Sequence, residues 1–403
     1  MENIVVVGAG QAGASLVARL RAKGFTGSVT LLGEEPQAPY QRPPLSKGYL
    51  LGEMPLERLL LRAASFYEEQ GIALKTGTRV SAIDRAAKTV RLADGTALPY
   101  DALALTTGSR PRMLAPVIGG DLAGLYPVRG LADVDAMAAE FREGARALIV
   151  GGGYIGLEAA AVASRLGLKV TLLEAAPRIL QRVASPETSA WFRALHLARG
   201  VDLREGMGLS KLLGRDGRVC GAELADGSVI EADFAIIGIG IHPDVALADA
   251  AGIALDNGIA VDAHGRTSDP SVYAAGDCAS FPYRGHRIRL ESVQNAIDQA
   301  EAVADAMLGD ETPYVPKPWF WSDQYDVKLQ IAGLNTGYDR VVVRPGAREG
   351  TQSVWYFHAD TLLAVDAMND PRAYMQAKRW IEAGISPAPE AVADPANELK
   401  TLV

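Results

Sequence analysis

Two glycine patterns mark where this sequence could do chemistry. Gly8-Ala9-Gly10-Gln11-Ala12-Gly13 follows the apolar run Ile4 to Val7, and Gly151-Gly152-Gly153-Tyr154-Ile155-Gly156 follows Ala147 to Val150, about 140 residues later. In such a pattern the first glycine permits a tight turn from strand to helix. The second lets the backbone approach a pyrophosphate, and the third lets helix and strand pack closely. Each pattern is followed by an amphipathic stretch (to Lys23, to Leu166), a second strand (Ser28 to Leu32, Lys169 to Leu173) and an acid, Glu34 or Glu174. A carboxylate about 20 residues beyond the pattern can accept hydrogen bonds from an adenosine ribose. At a nicotinamide site it would also repel a 2′-phosphate, so Glu174 predicts selection of NADH over NADPH. Two complete copies imply two dinucleotides in one chain, and so electron transfer between cofactors.

The elements that must position these turns read as an α/β chain with a first unit that is interrupted. After the opening β-α-β come a helix near Ala63 to Gln70 and strands around Ile72 to Leu92, ending at Ala102 to Gly108. The second unit begins near Pro111 and runs through short antiparallel strands, Val219 to Leu224 and Val229 to Ile230, to Phe234 to Gly240. The first then resumes, with Ile259 to Asp262 and a last parallel strand ending at Gly276-Asp277. From Trp319 the pattern becomes alternating strands, Lys328 to Ala332, Asp339 to Arg344, Ser353 to His358 and Leu362 to Met368, with a helix from Pro371 to Ala383. The expected fold class is therefore α/β, two Rossmann-like dinucleotide-binding domains (FAD and NAD) plus a C-terminal α+β domain. The expected boundaries are 1–110 with 245–317, 111–244, and 318–403.

Composition narrows the class. The chain has 403 residues, of which 48% are hydrophobic, enough to bury a large core in two or three domains. No apolar run approaches the ~18 residues of a membrane span, and Val5 to Gly8 follows almost directly on Met1, so the expected location is the cytoplasm. A formal charge of −8 argues against a general nucleic-acid binder. The two cysteines, Cys220 and Cys278, form no Cys-x-x-Cys, which disfavours flavoproteins that relay electrons through a local dithiol. The five histidines, His196, His242, His264, His286 and His358, are never a helical turn apart, and no metal is expected.

Further motifs carry a resemblance over the whole chain: Pro39-Tyr40-Gln41-Arg42-Pro43-Pro44-Leu45-Ser46-Lys47, the second glycine turn with Leu157-Glu158, Ala275-Gly276-Asp277-Cys278, Glu291-Ser292-Val293-Gln294-Asn295-Ala296, and Phe320-Trp321-Ser322-Asp323-Gln324. Together and in this order they resemble the FAD-dependent, NADH-using ferredoxin reductases of the putidaredoxin reductase type, which serve cytochrome P450 and ring-hydroxylating dioxygenase systems. The resemblance implies hydride transfer from NADH to the flavin N5 and return of electrons one at a time to a [2Fe–2S] ferredoxin. Such chemistry asks the polypeptide for placement and electrostatics, with no nucleophile or metal.

The resemblance also implies the site. For FAD it gives Gly8, Gly10, Ala12, Gly13, Glu34, Arg42, Lys47, Val80, Thr107, Gly108, Arg129, Gly276, Asp277, Glu291, Ser292, Val293 and Trp321. Among these, Ala12, Val80 and Val293 act through the backbone, Arg42 and Arg129 at or near the phosphates, and Asp277 on a ribityl hydroxyl. Asp277 stands just before a helix-prone segment and could equally be an N-cap. For NAD the set is Gly151, Gly153, Tyr154, Ile155, Gly156, Glu158, Glu174, Gly238 and Gly240. Lys47 and Glu158 are the pair expected near the reacting atoms. A buried lysine needs a carboxylate partner to stay charged, and Glu158 on the first turn of the second helix can supply it. Tyr154 and Trp321 are the expected aromatic walls of the flavin, Tyr154 as a gate and Trp321 as an electron path. An aromatic packed between domains is the plain alternative for each.

Ferredoxins of this kind are usually acidic, so a basic face is expected near the flavin edge. Arg284, Arg287 and Arg289 in the segment running into Glu291, with Lys317, Lys328, Arg372, Lys378 and Arg379, are the candidates. Glu301 in the following helix departs from the best-known relatives and would repel an acidic partner. The third domain offers a face for a homodimer, for the partner, or for both. Competing readings are NADH oxidases, peroxidases and coenzyme A-disulfide reductases, which need a reactive cysteine that Pro43 to Lys47 lacks. Flavoproteins resembling apoptosis-inducing factor, in which NADH binding acts as a redox-sensed switch, normally carry targeting extensions and basic surfaces that are not expected here, whereas rubredoxin and monodehydroascorbate reductases share many of the motifs.

Overall fold

The strand Asn3–Val7 is buried along nearly its whole length, as a strand covered on both faces must be. It forms the centre of a five-stranded parallel sheet ordered Val272–Ala274, Ala102–Leu105, Asn3–Val7, Ser28–Leu32, Ile72–Lys75. The computed structural model describes all 403 residues and divides into two compact units. The sheet belongs to the first, residues 1–42, 55–110 and 241–318. The helix Gln11–Ala22 turns Ala12, Leu16, Val17 and Leu20 inward, and the helix Val293–Met307 adds Ala300, Val303 and Ala304 to the same core. On the opposite face, Val80, Ile83, Val90 and Leu92 of a small antiparallel sheet join Val5, Leu103 and Phe281.

The second unit comprises residues 43–54, 111–240 and 319–403. It repeats the parallel arrangement, in the order Asp202–Glu205, Lys169–Glu174, Arg146–Val150, Phe234–Ile237, Leu125–Tyr126. Its C-terminal part is a five-stranded antiparallel sheet ordered Trp319–Gln324, Val327–Gly333, Thr361–Met368, Gln352–His358, Arg340–Pro345, backed by the helix Pro371–Ala383. Asp370 caps that helix by accepting from the Ala373 N–H, and Pro371 stands at its first position.

The expected fold class holds: two parallel Rossmann-like sheets and an α+β C-terminal part. Three local expectations are corrected. Asp277 is followed by the strand Ala279–Tyr283, so it caps no helix. Ile259–Ala260 pairs with that strand in a separate three-stranded sheet. The hairpin after residue 218 gains a third strand, Leu209–Arg215. The helix Pro186–Ala198 has no counterpart in the sequence reading. No helix is long and apolar enough to cross a membrane.

Candidate functional site

Each glycine of the two turns has its own steric reason. Gly8 (φ +114°) and Gly151 (φ +111°) occupy the left-handed region, and a Cβ there would strike the Thr106 or the Gly238 carbonyl. A Cβ on Gly13 or Gly156 would strike the carbonyl of the first glycine of its own turn, which is how tightly helix and strand are packed. Gly10 and Gly153 differ: a Cβ on either meets no protein atom within 4 Å. Their side-chain faces are open, and the backbone N–H groups of a helix start lie beside them, a geometry that fits a pyrophosphate. Gly238 ends the strand after Ile237, its N–H donating to the Val150 carbonyl at 2.8 Å, and Gly240 continues at φ +102°.

The two acids sit differently. Glu174 is the last residue of its strand, and its carboxylate accepts from the Gly152 N–H at 2.7 Å and the Ala176 N–H at 2.7 Å. The strand register aligns Leu173 with Val150 and Leu32 with Val7, which makes Gly33 the counterpart of Glu174. A Cβ on Gly33 would meet the Ala9 methyl at 2.7 Å, so that methyl fills the space a side chain would take. Glu34 lies one residue further on, ion-paired with Arg110 at 3.0 Å and Arg79 at 3.7 Å. Glu35, unremarked in the sequence, accepts from Arg42 and from the Tyr40 hydroxyl.

Around the first turn, Ala12 and Gly276 are neighbours, since a Cβ on Gly276 (φ +81°) would lie 3.1 Å from that of Ala12. Asp277 accepts from the Ser109 hydroxyl at 2.9 Å. The Thr107 hydroxyl donates to the Asp244 carbonyl at 2.6 Å, and the Asp244 N–H to the Gly108 carbonyl. Ser292 caps the helix that Val293 opens, accepting from the Asn295 N–H at 3.1 Å, and Glu291 pairs with Arg289 at 2.6 Å. Val80 is buried at the start of its strand. Arg129 belongs to the second unit, where its N–H donates to the Asp133 carboxylate.

In the second unit, the helix Tyr154–Arg165 meets the strand Trp319–Gln324 residue by residue. Tyr154 and Glu158, four apart, share a helix face, while Phe320 and Ser322, two apart, share a strand face. Tyr154 lies against Phe320 with ring centroids 4.9 Å apart, and its hydroxyl is buried without a hydrogen-bond partner. Burial pushes that phenol well above its ordinary pKa. Glu158 is only 4% exposed and accepts three hydrogen bonds, from Lys47 Nζ (2.8 Å), the Ser46 hydroxyl (2.8 Å) and the Ser322 hydroxyl (2.7 Å). A short 3₁₀ turn at Pro43–Ser46 brings Ser46 and Lys47 there. The other strand face carries Trp319 and Trp321, centroids 5.5 Å apart and both half-exposed. Ile155 is exposed at the helix start.

Sequence reasoning missed Ser46 and Ser322, although both stand inside quoted motifs, and the alternation of the strand could have put Ser322 opposite Glu158. Arg287 and Arg289, expected to steer the partner, also bond the fold itself. Arg287 donates to the Val261 and Ser280 carbonyls, and Arg289 to the Asn257 and Asp277 carbonyls besides its ion pair with Glu291. These guanidinium groups brace a hairpin, and Arg289 exposes only 11% of its side chain.

Comparison with known proteins agrees with this geometry. The family described as pyridine nucleotide-disulphide oxidoreductase matches residues 2–300, and the one described as reductase C-terminal matches residues 319–403. A ferredoxin–NAD(P)(+) reductase of a Sphingomonas species is 45% identical over 405 residues, covering 100% of this chain and 97% of the relative. Putidaredoxin reductase CamA of Pseudomonas putida is 40% identical over 418 residues, covering 100% and 97%. The covalent putidaredoxin reductase–putidaredoxin complex contains a chain that superposes with a TM-score of 0.96 at 40% identity, covering 100% of this chain and 98% of that one. The chain therefore belongs to the pyridine nucleotide-disulphide oxidoreductase family, among its ferredoxin reductases.

Proposed function

We propose that this chain oxidises NADH through FAD and delivers the electrons singly to a [2Fe–2S] ferredoxin, which feeds a cytochrome P450 or a ring-hydroxylating dioxygenase in the cytoplasm. The observation that carries the reading is the pair of complete glycine turns, each open at its middle glycine. FAD, when bound, supplies the conversion of a two-electron hydride donor into single electrons. We read 1–110 with 245–317 as the FAD-binding part, 111–244 as the NADH-binding part and 318–403 as the C-terminal domain.

The residues then take roles that their contacts support. Gly10 and the start of its helix receive one pyrophosphate, and Gly153 the other. Asp277 accepts a ribityl hydroxyl. Lys47, fixed by Glu158 and the Pro43 carbonyl, would place its ammonium group beside the flavin and favour negative charge there. Glu174 accepts the ribose hydroxyls of NADH and repels a 2′-phosphate. Tyr154, pinned against Phe320 with its hydroxyl buried, serves as a fixed wall beside the nicotinamide path rather than as a swinging gate. Trp321 lines the opposite side. With Arg289 largely covered, the exposed Arg284, Arg287, Arg372 and Arg379 are the better candidates for steering an acidic partner.

The test is NADH-dependent cytochrome c reduction by the purified yellow protein, with and without [2Fe–2S] ferredoxin, alongside NADPH. The expected result is a large ferredoxin-dependent increase with NADH and little with NADPH. Slow reduction that ignores ferredoxin would refute the acceptor assignment. Faster reduction of rubredoxin than of ferredoxin would move it to rubredoxin.

A further inference from the structure

Behind Glu158 the polar contacts continue through the interior of the second unit. The Ser322 hydroxyl that donates to Glu158 Oε1 at 2.7 Å is itself approached by Gln324 Nε2 at 3.2 Å. Gln324 Oε1 lies 2.8 Å from His196 Nε2, and His196 Nδ1 lies 3.3 Å from the Tyr325 hydroxyl. Ser322, Gln324 and His196 are each 0% exposed. His196 comes from the last turn of the helix Pro186–Ala198. Gln324 and Tyr325 come from the end of the strand Trp319–Gln324 and the two-residue turn after it, where Tyr325 is left-handed at φ +57°.

The direction of every bond follows from its first member. Ser322 donates its single hydrogen to Glu158, so toward Gln324 its oxygen can only accept. The Gln324 amide therefore turns its NH₂ toward Ser322 and its oxygen toward His196, and the imidazole must carry its hydrogen on Nε2. Burial lowers the His196 pKa, which keeps the ring neutral and leaves Nδ1 to accept from Tyr325. Tyr325 is itself held: its ring lies 5.2 Å from that of His196, Arg199 stands over it at 5.0 Å, and Arg199 pairs with Asp326 at 2.7 Å. Four donors thus point one way, toward Glu158.

We propose that His196 and Gln324 are positioning residues for the reductive step. Through Ser322 they fix the rotamer of Glu158 and so the charge balance of the Lys47–Glu158 pair. The inference rests on the proposed placement of that pair beside the flavin. Without the chain, Ser322 is free to turn away, and the carboxylate shows more uncompensated negative charge to Lys47 and the ring. Reduction of the ring then becomes harder.

The test uses the FAD-loaded full chain. In histidine-labelled protein, ¹⁵N NMR should show His196 as the neutral Nε2–H tautomer at pH 7, and the Nδ1–H tautomer would reverse the chain and overturn the proposal. Gln324→Met and His196→Phe should lower the flavin midpoint potential and slow hydride transfer about tenfold, as expected for losing one hydrogen bond to a charged group. The dissociation constant for NADH should stay as it was. His196→Gln, which keeps an N–H for Gln324, should restore most of both quantities. If Gln324→Met and His196→Phe leave potential and rate unchanged while Glu158→Gln moves them, the positioning role is wrong and the placement of the pair stands. If Glu158→Gln also changes neither, the placement itself has failed and the positioning role falls with it. Variants that do not fold leave the tautomer measurement to decide.

Discussion

The two glycine turns share a backbone and differ in what closes over them. In the second, the Glu174 carboxylate bonds the Gly152 N–H, and a Cβ on Gly152 would lie 3.0 Å from Glu174 Oε2 and 2.7 Å from an Ile179 methyl. In the first, Gly33 takes the place of the acid and the Ala9 methyl takes the place of the missing Cβ. The pairs Ala9 with Gly33 and Gly152 with Glu174 are therefore reciprocal. Space given up on the turn is taken by the end of the next strand, and the reverse. The acid so displaced, Glu34, is drawn into ion pairs with Arg79 and Arg110, and Glu35 into one with Arg42. Arginines thus surround the acids after the first turn, while no cation pairs with the Glu174 carboxylate.

The middle glycines give the sharpest separation. Gly10 (φ −95°, ψ −160°) and Gly153 (φ −80°, ψ 179°) have extended backbones that alanine adopts freely, and neither new methyl would touch protein. Gly10→Ala should purify folded and largely without flavin colour. Gly153→Ala should stay yellow, with its KM for NADH raised about 10- to 100-fold, the cost of a methyl in a packed contact. A Gly10→Ala protein with full flavin content would show that the pyrophosphate does not lie there.

Exchanging the acids separates the turns less strongly. Glu174→Gln should shift the ratio of NADPH to NADH efficiency toward NADPH by about tenfold, through loss of a repulsion worth about 1.4 kcal/mol. It should also cost about 1 kcal/mol of stability, because the Gln NH₂ cannot accept from one of the two N–H groups that Glu174 serves. Glu34→Gln should leave flavin content and nicotinamide preference alone, since its partners are exposed and such pairs are worth at most about 1 kcal/mol. Equal effects at the two positions in steady-state kinetics and flavin titration would end the distinction.

What was legible in the sequence follows the range of the forces involved. The turns could be read because their determinants lie within a few residues of each other, in φ values and in the missing Cβ atoms. The helix Pro186–Ala198 could not. Thr188, Ser189 and His196 are buried on it, and they look like surface residues until Asp366 and Gln324, more than 100 residues later, supply partners for Thr188 and His196. Within the basic run Arg284 to Arg289, the carbonyls that Arg287 and Arg289 bond, Val261 and Asn257 among them, were likewise not visible from the run itself. Lys47 and Glu158 were readable as types, but the two serines completing the carboxylate's bonds carry no charge to attract notice.

The second unit also buries a carboxylate that the first lacks, and it offers the smallest test. Asp366, on the strand Thr361–Met368, is 1% exposed and accepts from the Thr188 hydroxyl at 2.7 Å and from the Tyr356 hydroxyl. Tyr356 also accepts from the Ser185 N–H at 3.0 Å, which ties the start of the helix Pro186–Ala198 to the C-terminal sheet. Burial raises the Asp366 pKa from 3.8 to about 6, against the two hydroxyl bonds that lower it. Tyr154 and Arg182 are the other titratable groups near this cluster. With the folded value above the unfolded one, its contribution to stability is complete below pH 3.8 and is lost as the pH rises toward 6, by about 3 kcal/mol in all. Asp366→Asn removes that loss, and its amide oxygen can still accept both hydroxyls. Relative to the parent chain, the variant should therefore gain about 1.5 kcal/mol between pH 5 and pH 8, a Tm difference of about 2 °C. Thermal melts at the two pH values measure it. A Tm difference that does not change with pH would mean that Asp366 does not titrate in this range, and that the clamp between helix and sheet is held by the hydroxyls alone.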